Sequence, residues 1–222
     1  MNNNLNAVRK TIEEKMASGR EFRKTQIIEA RESKENGSKI VSGYATTFNE
    51  TYTLYDFGDY AVEEEIDARA FDECDFSDVI MQYDHSGRVF ARTSNKTLRL
   101  NIDGHGLHIE ADLSGTKLGN DVYEEIRGGY TTKMSFAFKV TGQEKTVIED
   151  EEKNKITVHR KITKISKLYD VSAVSLPAND GTDISARNFV DGVIAEIKAE
   201  RLRAEERSRK VKILKLMLEV NS

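Results

Sequence analysis

The chain has 222 residues, 38% of them hydrophobic and 32% charged, with a formal net charge of −4. That length suits one domain of about 150 residues with extensions and a proper core. The charge gives no electrostatic case for nucleic-acid binding, and no apolar run approaches the roughly 20 residues of a membrane span. One cysteine, Cys74, excludes an internal disulfide and fits a reducing compartment. The opening Met1-Asn2-Asn3-Asn4-Leu5 lacks the apolar stretch of a secretory signal, so none is expected.

Residues 1–20 read as a short polar helix with Leu5, Val8, Ile12 and Met16 in one apolar stripe. From Phe22 to Phe48, two extended segments flank Lys34–Ser38, where Asn36-Gly37 is a turn signal. Tyr52–Glu65 carries little pattern, and its acidic end Glu63-Glu64-Glu65 reads as a solvated loop. Asp67 can cap a short helix through Phe71. Val79–His85 is an extended run.

A hairpin follows. Leu98, Leu100 and Ile102 share one face of its first strand, and Leu107, Ile109, Ala111 and Leu113 share one face of its second, with Asp103-Gly104-His105-Gly106 as the turn. Leu118, Val122 and Ile126 form an i, i+4, i+8 stripe on a helix expected from near Asn120 to Gly128. Met134, Phe136, Phe138 and Val140 then alternate along the core face of a strand, so Ser135 looks away from that core. Thr141–Lys155 is a charged excursion, read as a protruding hairpin tip, after which Ile156, Val158 and Ile162 resume a strand pattern. Val171–Leu176 is small or apolar on both faces and reads as a central, covered strand. The segment from Asp183 has no strand pattern. From Val190 it holds eight basic and six acidic residues, with apolar stripes at Val190, Ile194, Ile197 and at Val211, Leu214, Leu218. It reads as a charged helix that either docks on the core or engages a partner.

Ser135, His85 and Asp170 supply the chemistry that a nucleophile, a base and an orienting acid require. A hydroxyl is a poor nucleophile near neutral pH and needs a base, and an imidazole titrates in that range. Asp170 enters a strand expected to be buried, where an unpaired carboxylate is costly, so it needs a partner. His105 sits in a turn and His108 on a polar strand face, both expected to be exposed and idle. One Cys and four scattered His give no metal-ligand spacing. Gly115-Thr116-Lys117 lacks the upstream glycine of a phosphate loop. No cofactor or metal is therefore expected. Cys74 is expected in a short acidic helix, which disfavours a thiolate, and Gly-x-Ser-x-Gly is absent around Ser135, which excludes an α/β-hydrolase elbow.

In chain order, Gly43-Tyr44-Ala45-Thr46-Thr47-Phe48, Tyr83-Asp84-His85, Thr97-Leu98-Arg99-Leu100, Asp103–Leu107, Met134-Ser135-Phe136-Ala137-Phe138 and Asp170–Asn179 form a succession. Over about residues 38–187 it resembles the capsid-maturation (prohead) serine proteases of tailed bacteriophages, which are related to the herpesvirus assemblin proteases. With the patterns above, the expected fold is α+β, mostly antiparallel β, with a long charged C-terminal helix; the resemblance implies that its core is a herpesvirus-protease-like β-barrel surrounded by a few helices. The expected layout is an N-terminal polar helical extension at 1–20, the protease domain at 21–187 and the charged helix at 188–222. Ser135 falls at the nucleophile position and His85 at the base. For the third member Asp170 is preferred, with His159 as the alternative because the herpesvirus enzymes use a second histidine there. The turn around Asn179 is the candidate oxyanion loop. The implied function is a serine endopeptidase of head assembly, working inside the immature prohead in the bacterial host cytoplasm. It would cleave scaffold regions of the major capsid protein or a scaffold protein, and itself, as a homo-oligomer, with no nucleic acid or membrane as partner. The rival reading is a catalytically inactive scaffold protein that retains the protease fold.

Overall fold

Two long strands make the frame. The computed structural model describes residues 20–174 except 28, 34–36, 57, 59, 151, 153 and 154, together with 199, 202, 203, 206, 207, 209 and 210. In chain order the elements are β1 (Glu21–Ile27), β2 (Glu29–Glu32), β3 (Lys39–Thr47), β4 (Tyr52–Asp56), β5 (Tyr60–Ile66), β6 (Ile80–Tyr83), β7 (Ser86–Arg92), β8 (Leu98–Ile102), β9 (Gly106–Asp112), α1 (Lys117–Arg127), β10 (Lys133–Asp150) and β11 (Lys155–Val174). β10 and β11 pair antiparallel along their whole length, from Lys133↔Val174 to Asp150↔Lys155. The charged excursion expected at Thr141–Lys155 is thus the outer half of a continuous ribbon.

β11 is the spine of a seven-stranded sheet. One of its edges takes β10, and the other takes β5 at Ile156–Ile162 and then β6 at Asp170–Ala173, both parallel. β1 adds beside the inner half of β10, β4 beside β5, and β7 beside β6. A separate four-stranded sheet runs β2-β3-β9-β8. Met134, Phe136, Phe138, Val171 and Ala173 of the first sheet share one apolar core with Val41, Leu98, Leu107, Ile109 and Ala111 of the second. Val122, Tyr123 and Ile126 of α1 join that core. The Thr116 side chain caps α1 by accepting from Gly119 N–H, and Gly129, at φ 75, supplies the left-handed residue just beyond its end.

The structure corrects the expected fold class. Among the described residues 60% lie in strands and 12% are helical, with α1 as the one complete helix, and no barrel closes. Closure fails because β11 divides one edge between two partners: the sheet branches there, while β1 and β4 end as opposite edges. Asp67 does accept from Arg69 N–H at 2.9 Å, but residues 68–73 form turns, not a helix. α1 starts at Lys117, three residues before the expected Asn120. The N-terminal stripe of residues 5–16 lies outside the described residues. The chain divides into two units, 1–186 and 187–222. In the second unit a long charged C-terminal helix is not shown; its described positions, 199, 202, 203, 206, 207, 209 and 210, are helical.

The acidic run expected as a solvated loop is strand β5, and Glu64 is 0% exposed. Alternation turns Val62, Glu64 and Ile66 inward while Glu63 and Glu65 face outward. Glu64 accepts from Arg23 Nε at 2.5 Å and from Arg160 Nη1 at 2.7 Å. Tyr52 Oη also donates to it. Arg160 additionally donates to Glu21 at 2.6 and 2.9 Å, and to Gln143 at 2.7 Å. Two arginines and two glutamates thus balance across β1, β5 and β11, with Tyr52 of β4 and Gln143 of β10 completing the set. Burial pushes the Glu21 carboxyl up, but Arg160 and Arg23 outweigh it and bring it from the usual 4.5 to about 2. A carboxylate depressed in the folded state stabilises the fold above its unfolded pKa, and that stability is lost as pH falls toward the folded value. Glu21→Gln should therefore flatten the loss of stability between about pH 5 and 2, removing roughly 3 kcal/mol of pH dependence in urea titrations at stepped pH.

Candidate active site

The β10–β11 register sets Ser135 opposite Ser172 and Ala137 opposite Asp170. Cross-strand partners share a face, as do residues two apart, so Ser135, Ser172 and Asp170 stand on one side of the sheet. Met134, Phe136, Val171 and Ala173 stand on the other, in the core. β6 extends the polar row by placing Gln82 beside Ser172 and Ile80 beside Asp170. Ser135 faces away from the apolar core as its strand pattern predicts. It lies within the sheet between β1 and β11 and is 3% exposed.

His85 comes from a turn. Tyr83 pairs with Ser86, leaving Asp84 and His85 as the two central residues of the β6–β7 hairpin, at φ 47 and 54. A two-residue turn of this kind (type I′) matches the twist of its strands but requires positive φ at both central positions. Each non-glycine residue held there costs about 1 kcal/mol. The Asp84 N–H donates to the Ala173 carbonyl at 2.9 Å, which ties the turn to β11. Beyond the turn Met81 pairs with Ala91, so Gly87–Phe90 bulge out opposite Gln82, with Gly87 at φ 76.

The imidazole spans the gap between the other two side chains. His85 Nδ1–H donates to Asp170 Oδ1 at 2.5 Å, and Ser135 Oγ–H donates to His85 Nε2 at 2.6 Å. A carboxylate only accepts, which makes Nδ1 the donor and leaves Nε2 to accept from the hydroxyl. Asp170 Oδ1 also accepts from Ser172 Oγ at 2.8 Å. His85 is 7% exposed and Asp170 1%, so these bonds answer the desolvation that burial imposes. Gln82, 6% exposed, donates from Nε2 to the Gly87 carbonyl at 3.1 Å. Its Oε1 has no partner among the described residues, a shortfall that costs about 1–3 kcal/mol in a buried site.

The structure thus brings Ser135, His85 and Asp170 together and leaves His159 apart. His159 lies toward the other end of β11, paired with Thr146 and Glu63, its ring 3.6 Å from Glu65 and 3.5 Å from Thr51. Asn179 lies outside the described residues. His105 and His108 meet the Tyr44 ring edge-on at the second sheet. Burial pushes the Cys74 thiol up to about 12, the wrong direction for a nucleophile. Among the described residues no cluster of His, Cys, Asp and Glu could hold a metal ion, and no helix is long and apolar enough to cross a membrane. Sequence reasoning missed Ser172 and Gln82. For Ser172 a signal existed: it stands two residues after Asp170 and so shares its strand face. For Gln82 no pattern marks it, since its role depends on a bulge.

The family model described as caudovirus prohead serine protease matches residues 25–193. The chain belongs to that family. Family membership makes it a serine protease of phage prohead maturation and agrees with the resemblance read from the ordered motifs. Among solved structures, the bacteriophage T4 capsid assembly protease is similar at 11% identity and a TM-score of 0.40, covering 71% of this chain and 99% of that one. No curated protein matches.

Ser172→Ala removes one of the donors to Asp170 and leaves the carboxylate less held. We expect a stability loss of about 1–3 kcal/mol in urea unfolding.

Proposed function

We propose that this chain is a serine endopeptidase in which Ser135 is the nucleophile, His85 the general base and Asp170 the residue that orients and charge-stabilises the imidazole. The observation that carries the reading is the hydrogen-bonded chain Ser135–His85–Asp170, with its 2.6 and 2.5 Å links. Ser135 Oγ attacks the scissile carbonyl carbon as its proton passes to His85 Nε2. The C–N bond then breaks, the same proton goes to the departing amine, and an ester to Ser135 remains. Water, deprotonated by His85, attacks that ester; the carboxylic acid leaves and Ser135 recovers its proton. Asp170 stabilises the imidazolium formed in each half, and the Ser172 hydroxyl holds Asp170 in line.

An inactive scaffold would gain nothing from this arrangement. Two left-handed residues, a buried carboxylate and a buried imidazole all oppose stability, and a protein kept only for its surface has no need of them. The substrates we infer are scaffold regions of the major capsid protein or a separate scaffold protein, and the chain itself. The place is the immature prohead in the bacterial host cytoplasm, with further copies of the chain as partners. Family membership supports these assignments.

Ser135→Ala should leave the fold intact by circular dichroism and abolish cleavage of co-expressed major capsid protein on denaturing gels. Normal processing by that variant would end the reading. Asp170→Asn should keep the geometry but favour the wrong imidazole tautomer, lowering kcat on the order of 10⁴-fold.

A further inference from the structure

We propose that Gln82 is a positioning residue whose side-chain amide fixes the turn that carries His85, and so keeps the imidazole between Ser135 and Asp170. The inference rests on the reading of those three residues as the reacting group. The turn is held where its backbone is reluctant to be: Asp84 and His85 are both left-handed without being glycine. Such a conformation persists only where its surroundings over-determine it. On one side the Asp84 N–H is bound to the Ala173 carbonyl of β11. On the other side the ladder closes the turn at Tyr83↔Ser86, and then Gly87–Phe90 bulge away before pairing resumes at Met81↔Ala91. Gly87, Arg88 and Val89 are exposed there. The one described bond pinning this bulge back to β6 is Gln82 Nε2 to the Gly87 carbonyl, at 3.1 Å.

The other half of the same amide points to the same role. Gln82 is buried, and its Oε1 has no partner among the described residues. The facing group at the turn is a carbonyl, so the nitrogen must be the atom that meets it, and the oxygen is left on the unserved side. A methionine would fill nearly the same volume without stranding an acceptor. Local stability therefore does not account for a glutamine here. Its N–H does, because that is the atom that reaches across the turn. The register places this peg in the row Ser135–Ser172–Gln82, one strand beyond the residue that holds Asp170.

The test is Gln82→Met in the full chain, read three ways. The thermal midpoint should be unchanged or raised, since an unmet acceptor is removed. The strongly deshielded proton resonance of the His85–Asp170 hydrogen bond should be sharp in the native chain and in Ser135→Ala, but broadened or lost in Gln82→Met. The rate of Ser135 labelling by a fluorophosphonate probe should fall at least tenfold across the pH profile. Gln82→Glu, which sets a carboxylate oxygen against the Gly87 carbonyl, should be as defective as Gln82→Met. A sharp resonance with native labelling in either variant would overturn the proposal. So would a lowered thermal midpoint that accounts for the whole loss, because the amide would then be merely structural. Failure of the underlying reading looks different: Ser135→Ala would still process capsid protein, whatever the Gln82 variants do.

Discussion

The antiparallel ladder between β10 and β11 is the constraint on which the rest depends. It alone decides that Ser135 faces Ser172 and that Asp170 lies two residues along the same face. A slip of one residue would send Ser135 into the apolar core and Phe136 out of it, so the burial of Met134, Phe136 and Phe138 enforces the register that the polar face uses. Core packing and site geometry are the two faces of one strand. The hydroxyl and the carboxylate are carried on paired main chain, whereas the imidazole comes from a turn that must be secured separately.

Farther along the same ribbon, the sheet solves a different problem with the same means. Glu64, Arg23 and Arg160 are nearly or fully buried, and no apolar side chain there could replace one partner without stranding the others. The ions are tolerated because each glutamate meets an arginine from another strand, and the donors and acceptors are shared out among Glu21, Gln143 and Tyr52. That network joins β1, β4, β5, β10 and β11, so the outer ribbon is tied laterally by directed bonds where the inner half is tied by apolar contact.

Much of this was legible in the sequence, and the reasons for the rest are physical. The alternation Met134, Phe136, Phe138 named the core face and therefore the orientation of Ser135. Asp103–Gly106 marked the β8–β9 turn, and Gly128 the end of α1. The association of Ser135 with His85 and Asp170 was expected from the order of motifs, since no local spacing encodes contacts across 50 and 85 residues. Three identical residues, Glu63-Glu64-Glu65, hid a strand, because period-two burial is invisible when both faces carry the same letter. Sheet branching was not readable at all. It follows from β11 accepting two parallel partners in succession, a choice made by strands far apart in sequence. An open pair of sheets and a closed barrel share the same alternating patterns.

The hairpin corner at Asp84 and His85 has a consequence for how this protein can vary. A torsional gate governs position 84: glycine, asparagine and aspartate pass it readily, while valine, isoleucine and threonine collide with their own main chain there. Substitutions that look harmless by polarity or size would then swing the neighbouring ring away from its target without touching any reacting atom. Backbone stereochemistry narrows what position 84 tolerates, and the contacts of His85 with Ser135 and Asp170 inherit that narrowness.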